Sequence, residues 1–426
     1  MLNNKKITKE EYEEALNTEL KIIGKKEDSN YISINYFRDS VLEELKTITE
    51  VPASTIETGG LKIYTTLDAT AQKSLEDSVY SYINDDTKIE TAAIMMDPNT
   101  GEVLALIGGN NYSKSQFNRA TKAKRQVGST MKPLLYYSAL ESGFTSSSSF
   151  TSEKTTFTFS GGKSYSPKNY NDRYAEGPLS MEAAIAYSDN IYAVKTHLFL
   201  GENNLINTAK RLGITSNLSE VPSLALGTSE ISLIEMTSAY SCFASLGYKT
   251  TPHFIKKIED SKGNILYENK EEKELLLNPS LTYILNEMLT STYNKNFINY
   301  NYPTLISLLP QITHKYAIKS GTTDTDLLIM GYNKNVVLGV WNGYDNNTKI
   351  DSSEYSHHKN IWIDTMESYF KQKEASWYEI PNNVVGVLTE PITGALATDE
   401  TQNKEMFFYL KGTEPSAESN YKDLEA

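Results

Sequence analysis

The chain has 426 residues and a mass of 47.8 kDa, with 41 Lys and Arg against 54 Asp and Glu for a formal net charge of −13. That excess of acid excludes the basic face with which a nucleic-acid binder displaces phosphate counterions, and 39% hydrophobic with 11% aromatic residues excludes wholesale disorder. A single cysteine, Cys242, excludes a disulfide framework, and no apolar run reaches the roughly 20 residues that span a bilayer or forms a signal-peptide core.

Residues 1–88 are polar, rich in lysine and glutamate, and read as a linker or pedestal. The spacing predicts amphipathic helices over ITKEEYEEALNTELKII (7–23) and INYFRDSVLEELKTIT (34–49), the second with Phe37, Val41, Leu42 and Leu45 on its apolar face. GGLKIYTTLD (59–68) has a strand pattern, and ATAQKSLEDSVYSYIN (69–84) returns to a helix. In TAAIMMDPNTGEVLALIGG (91–109) two apolar runs flank Asp97-Pro98-Asn99-Thr100-Gly101, which is turn chemistry and predicts a β-hairpin. Helical patterns follow at 129–142, 180–187, 191–200 and 204–212, and again from 231, with the serine run Ser146–Ser149 as a loop. Cys242, within AYSCFASLGY, reads as a small buried hydrophobe. Three more strands, 314–323, 327–333 and 335–344, form a meander. A hairpin, a helical insertion and a meander make an α+β fold: one antiparallel sheet flanked by helices. The 29 tyrosines read as ordinary core and surface residues. Five histidines (His197, His253, His314, His357, His358) show no ligand spacing, so no metal and no cofactor is expected, and His357-His358 reads as a solvated loop.

Three short motifs carry chemistry. In Ser129-Thr130-Met131-Lys132, positions three apart share one helix face, which puts a hydroxyl and an amine within hydrogen-bond reach. Pro133 is tolerated only in a first helical turn, so the helix should start close to Ser129, with free N–H groups favouring developing negative charge. Ser188-Asp189-Asn190 falls between two helical stretches and presents a hydroxyl and an amide in a short loop. Lys319-Ser320-Gly321-Thr322-Thr323 ends a strand, where a lysine, small hydroxyls and a bare glycine suit an extended peptide with a terminal carboxylate. Each motif alone is weak: S-x-x-K arises by chance, S-D-N is also a helix stop and restart, and K-S-G is also a strand end.

Their order on this framework resembles that of penicillin-binding proteins and serine β-lactamases. GGLKIYTTLDATAQ, MMDPNTGEVLALIGG, NYNDRYAEGPLSMEAAIAYSDN, LALGTSEISLIEMTSAYSCFASLGYKTTP, VVLGVWNGYDN and VVGVLTEPITGALAT extend the likeness over nearly the whole chain, to class A (bifunctional) penicillin-binding proteins. The resemblance implies that family's fold, a five-stranded antiparallel sheet flanked by helices plus a helical subdomain. It implies a transpeptidase domain over 89–415 behind the 1–88 pedestal, with a tail at 416–426. It implies Ser129 as nucleophile, Lys132 as neutral base, Ser188 as proton relay, Asn190 on a substrate amide, and Lys319, Ser320, Gly321, Thr322 and Thr323 around the terminal carboxylate. The N–H groups of Ser129 and Thr322 would then form the oxyanion hole. Expected partners are peptidoglycan stem peptides, as D-Ala-D-Ala donor and amine acceptor, and β-lactam antibiotics. The expected setting is the outer face of the bacterial membrane, through an N-terminal anchor and a glycosyltransferase region not found here, so no glycan polymerisation is expected. One departure stands out: the family commonly shows D-x-W-F-x-G-Y, and this chain has Asp326-Leu327-Leu328-Ile329-Met330-Gly331-Tyr332, a leucine for the tryptophan. A D,D-carboxypeptidase, a β-lactamase, a β-lactam sensor and a silent scaffold share parts of this pattern. The pedestal argues against the β-lactamase, the lack of a membrane segment against the sensor, and the complete motifs against the scaffold.

Overall fold

The computed structural model describes residues 2–4, 6–17, 33–51, 53–83 and 87–415. They belong to two compact units, Met1–Ile32 and Ser33–Ala426. In the first, the helix Lys9–Asn17 buries none of its residues. The remainder of the helix predicted to residue 23, like the predicted tail 416–426, lies outside the described residues.

The second unit is built on a five-stranded antiparallel sheet, in spatial order Ala317–Thr322, Asp326–Tyr332, Val337–Gly343, Glu90–Met96 and Val103–Ile107. The Asp97–Gly101 turn closes the predicted hairpin, with Gly101 at φ +84. Side chains alternate across the sheet, and both faces are covered. Ala92, Ile94, Met96, Leu328 and Met330 join one core with the helices Lys132–Glu141, Met181–Tyr187, Leu233–Ala244 and Pro279–Met288. Ala93, Met95, Ile318, Ile329 and Val340 join a second core with Leu75 and Val79 of the helix Ala69–Tyr82 and Trp362 and Met366 of the helix His357–Phe370. Two sheet glycines let helices approach closely: a Cβ on Gly331 would overlap the Trp362 ring, and one on Gly339 would lie 2.6 Å from Thr237 Oγ1.

Residues 33–83 belong to the same compact unit as the sheet. Asp68 caps the helix Ala69–Tyr82 by accepting from the N–H groups of Thr70 and Ala71. The strand Lys62–Thr65 pairs with Ile255–Glu259, which in turn pairs with Ile265–Glu268.

Four local expectations are corrected. Leu42 is 43% exposed, because the buried face of the helix Ile34–Leu45 runs through Tyr36, Phe37, Val41 and Leu45, and the residue after Val41 turns outward. His357-His358 is not a solvated loop. The pair opens the helix His357–Phe370, and His358 is buried with Ile361 and Trp362. The serine run is a loop only in part: Ser146 is buried and donates to the Phe408 carbonyl at 2.9 Å, and Ser149 opens a strand paired with Gly177–Ser180. The 129–142 pattern divides into a 3₁₀ turn, Gly128–Met131, and the α-helix Lys132–Glu141.

Candidate active site

Backbone packing places Ser129. Gly128 stands at φ +55 and donates its N–H to the Gly227 carbonyl at 3.1 Å. A Cβ on Gly128 would lie 3.1 Å from Thr322 N, and one on Gly321 3.2 Å from Thr130 N, so the turn and the edge strand Ala317–Thr322 touch main chain to main chain. On the other side Gly227, at φ +72, fits only without a side chain: its Cβ would lie 2.6 Å from the Gly128 carbon and nitrogen. Thr130 donates its hydroxyl to the Val127 carbonyl at 2.6 Å, and Tyr240 donates to the Thr130 carbonyl at 2.7 Å. The α-helix therefore begins at Lys132, with Pro133 in its first turn, and Ser129 lies one 3₁₀ turn ahead of it. Ser129 is partly exposed between buried neighbours.

The Ser188-Asp189-Asn190 loop is a helix stop and a helix start fused together. Ser188 is left-handed at φ 57 and ends the helix Met181–Tyr187. Asp189 caps the helix Asn190–Leu200 by accepting the Tyr192 N–H at 2.7 Å. Asp189 is buried, and its second oxygen accepts from Ser152 Oγ at 2.5 Å and Asn169 Nδ2 at 2.6 Å.

Two fully buried lysines meet at this loop. Lys132 Nζ lies 2.6 Å from the Ser188 carbonyl, 2.7 Å from Asn190 Oδ1, 3.2 Å from Ser188 Oγ and 3.2 Å from the Asp189 carbonyl. Lys319 Nζ donates to Ser188 Oγ at 3.0 Å and to the Ser320 carbonyl at 2.9 Å. Burial pushes the Lys132 amine down to about 7, against the opposing pull of the Asp189 charge. Burial, then Lys132, then Lys359, hold the Lys319 amine well below the usual lysine range. Ser188 Oγ therefore bridges two buried amines.

The structure gathers most of the predicted residues but not every predicted contact. Among the described residues Ser129 Oγ has no hydrogen-bond partner, because the Lys132 amine is taken up by the Ser188-Asp189-Asn190 acceptors. Asn190 Nδ2 donates to the Lys168 carbonyl at 2.7 Å. Ser320 and Gly321 are buried behind the exposed Thr322. The Thr323 hydroxyl is spent on the turn into the next strand, accepting the N–H groups of Asp326 at 2.9 Å and Thr325 at 3.2 Å. Sequence reasoning missed Gly227 and Asn169 as parts of the site. Both lie in stretches that carried the family likeness, LALGTSEIS and NYNDRYAEGPLS, but neither residue type suggests chemistry by itself. Among the described residues no helix is long and apolar enough to cross a membrane.

Comparison with known proteins agrees with this geometry. Residues 91–350 match the family model of the penicillin-binding protein transpeptidase domain. Penicillin-binding protein 2D of Bacillus subtilis (strain 168) is 42% identical over 383 residues, covering 89% of this chain and 55% of that protein. Penicillin-binding protein 1A of Aquifex aeolicus (strain VF5) is 36% identical over 336 residues, covering 77% of this chain and 44% of that protein. The chain thus spans about half the length of the curated relatives it matches. Among solved structures, penicillin-binding protein 1A from Haemophilus influenzae superposes with a TM-score of 0.82 at 22% identity, over 99% of this chain and 81% of that one. PonA1 from Mycobacterium tuberculosis, solved in complex with penicillin V, gives a TM-score of 0.68 at 23% identity, over 82% of this chain and 96% of that one. Sheet order, the buried amine pair on Ser188 and the family match converge: this chain belongs to the penicillin-binding protein transpeptidase domain family.

Proposed function

We propose that this chain is a serine D,D-transpeptidase that cross-links peptidoglycan stem peptides through an acyl-enzyme on Ser129 and is blocked when a β-lactam acylates the same serine. The observation that carries the reading is the buried Lys132 amine, pushed down to about 7, three residues from an accessible serine. A neutral Lys132 accepts the Ser129 proton as Oγ attacks the penultimate D-Ala carbonyl. The carbonyl oxygen develops its charge towards the N–H groups of Ser129 and Thr322, whose segments touch through Gly128. The contacts Lys132–Ser188 at 3.2 Å and Lys319–Ser188 at 3.0 Å support proton return to the leaving D-Ala through the Ser188 hydroxyl. Lys319, Ser320, Gly321 and Thr322 form the edge against which the terminal carboxylate is held, and Thr323 supports the turn behind them. An amine from a neighbouring stem then takes the acyl group. The family setting for this chemistry is the outer face of the bacterial membrane.

Mass spectrometry after penicillin treatment tests the nucleophile: one drug mass is expected on the peptide containing Ser129 and none on Ser129→Ala protein. Lys132→Arg, which keeps its proton near neutral pH, should lose acylation by orders of magnitude. A pentapeptide donor supplied with and without an amine acceptor tests the reaction type. Cross-linked or exchanged product is expected. Hydrolysed tetrapeptide at every acceptor concentration would make the chain a carboxypeptidase.

A further inference from the structure

We infer that Asn169 is a positioning residue of the active site: its carboxamide, with the neighbouring Lys168 carbonyl, clamps the Ser188-Asp189-Asn190 turn in the geometry that receives Lys132. The inference rests on the proposed function above. Asn169 is only 8% exposed and spends its whole side chain on the motif and its surroundings. Its Oδ1 accepts the N–H of Asn190 at 2.8 Å and that of Ile191 at 3.3 Å. Its Nδ2 donates to Asp189 Oδ2 at 2.6 Å and to the Arg173 carbonyl at 3.0 Å, with Ser152 Oγ at 3.3 Å. One carboxamide thus satisfies two free N–H groups at the start of a helix and the carboxylate that caps the same helix.

The Lys168 carbonyl adds the second jaw. It accepts from Asn190 Nδ2 at 2.7 Å, and because the amide is planar this leaves Asn190 Oδ1 directed to Lys132 Nζ, also at 2.7 Å. Three of the four acceptors around Lys132 Nζ, the Ser188 carbonyl, the Asp189 carbonyl and Asn190 Oδ1, depend on how this turn is held.

The backbone beyond the clamp supports a built feature. Asn171, Asp172 and Glu176 stand at φ 56, 51 and 54, left-handed conformations that cost energy away from glycine. They bring the chain back so that Gly177–Ser180 pairs with Ser149–Ser152, the strand that also supplies Ser152 to Asp189. A helix start alone needs only Asp189 as its cap. The additional carboxamide fixes which way the turn faces.

The test measures fluorescent-penicillin acylation from pH 5 to 9, separating the acylation rate constant from the affinity of the non-covalent complex, with thermal melting alongside. Asn169→Ala should lose about 100-fold in the acylation rate constant, the scale of an ångström-level misplacement, with little change in non-covalent affinity. Asn169→Asp keeps size and acceptor but sets a carboxylate against Asp189, so it should lose activity and move the pH break upwards. The double variant Asn169→Asp/Asp189→Asn exchanges donor and acceptor, and should regain at least tenfold over Asn169→Asp alone. If Asn169→Ala fails to fold, the comparison of Asn169→Asp with the double variant decides. Wild-type protein that takes no adduct on Ser129 overturns the proposed function and the inference with it. Wild-type acylation matched within threefold by a folded Asn169→Ala, or no recovery in the double variant, overturns the inference alone.

Discussion

Lowering the pH should slow acylation of Ser129 along a curve set by Lys132. An ordinary lysine, with its pKa near 10.4, holds about one part in 2500 as the free amine at pH 7; a lysine at about 7 holds half. Burial therefore raises the supply of base about 10³-fold at neutral pH, equivalent to about 5 kcal/mol of differential solvation between the charged and neutral forms. The rate constant for acylation by a penicillin should be level above pH 8 and fall tenfold per pH unit below 7, reaching about one-hundredth of the plateau at pH 5. Because Lys319 shares Ser188 with Lys132, the break belongs to the pair. Asp189→Asn removes the charge that opposes the shift and should move the break to lower pH. A profile level from pH 5 to 9, or one still climbing tenfold per unit above pH 9, refutes a neutral Lys132 as base. The same displacement has a sign for stability. Between about pH 7 and 10.4 the unfolded chain holds the Lys132 proton and the folded chain does not, so this group makes stability rise with pH across that window and leaves it unchanged below.

Gly227→Ala, far from Ser129 in sequence, should cost acylation about 100-fold, because at φ +72 its Cβ would overlap the Gly128 carbonyl oxygen and lie 2.6 Å from the Gly128 carbon and nitrogen; a penicillin-binding assay with thermal melting separates this from unfolding. Cys242 is buried and its thiol is pushed up to about 12, so the native protein should resist a thiol reagent that labels the denatured chain stoichiometrically, and fast native labelling would contradict the packing. Leu75→Ala, deep in the core between the helices Ala69–Tyr82 and His357–Phe370, should cost about 2–5 kcal/mol in denaturant unfolding, and a cost below about 1 kcal/mol would mean that residues 69–82 do not share the sheet's stability.

The sheet was legible in the sequence because four of its strands are short apolar runs closed by turn residues and the fifth, Ala317–Thr322, leads into the Lys319-Ser320-Gly321 motif, and five strands in two groups leave few antiparallel arrangements. The helix His357–Phe370 was not legible, because it opens on two histidines that read as polar. Ile361, Trp362, Ile363 and Met366 make it helical through burial against the sheet, where Gly331 gives Trp362 room. Leu42 was misplaced for the opposite reason: hydrophobicity alone did not say which of two adjacent residues, Val41 or Leu42, faces the core.

The site divides along a different line. The residues proposed for the chemistry carry functional groups, and their spacing can be read: Ser129 with Lys132, Ser188 with Asn190, Lys319 on its strand. What the chemistry requires of them is held by residues without such a signature. On the proposed reading Lys132 is a base near neutral pH because it is buried, beside the Ser188-Asp189-Asn190 turn that Asn169 holds with a carboxamide common to many surface loops. The turn that holds Ser129 approaches the Thr322 strand so closely because Gly128, Gly227 and Gly321 have no side chains to separate the segments. A motif search weighs the first set and ignores the second, yet both are needed to place an amine, a hydroxyl and two amide N–H groups around one carbonyl. Loss of Gly227 or Asn169 should therefore leave all three motifs in place and still cost most of the activity.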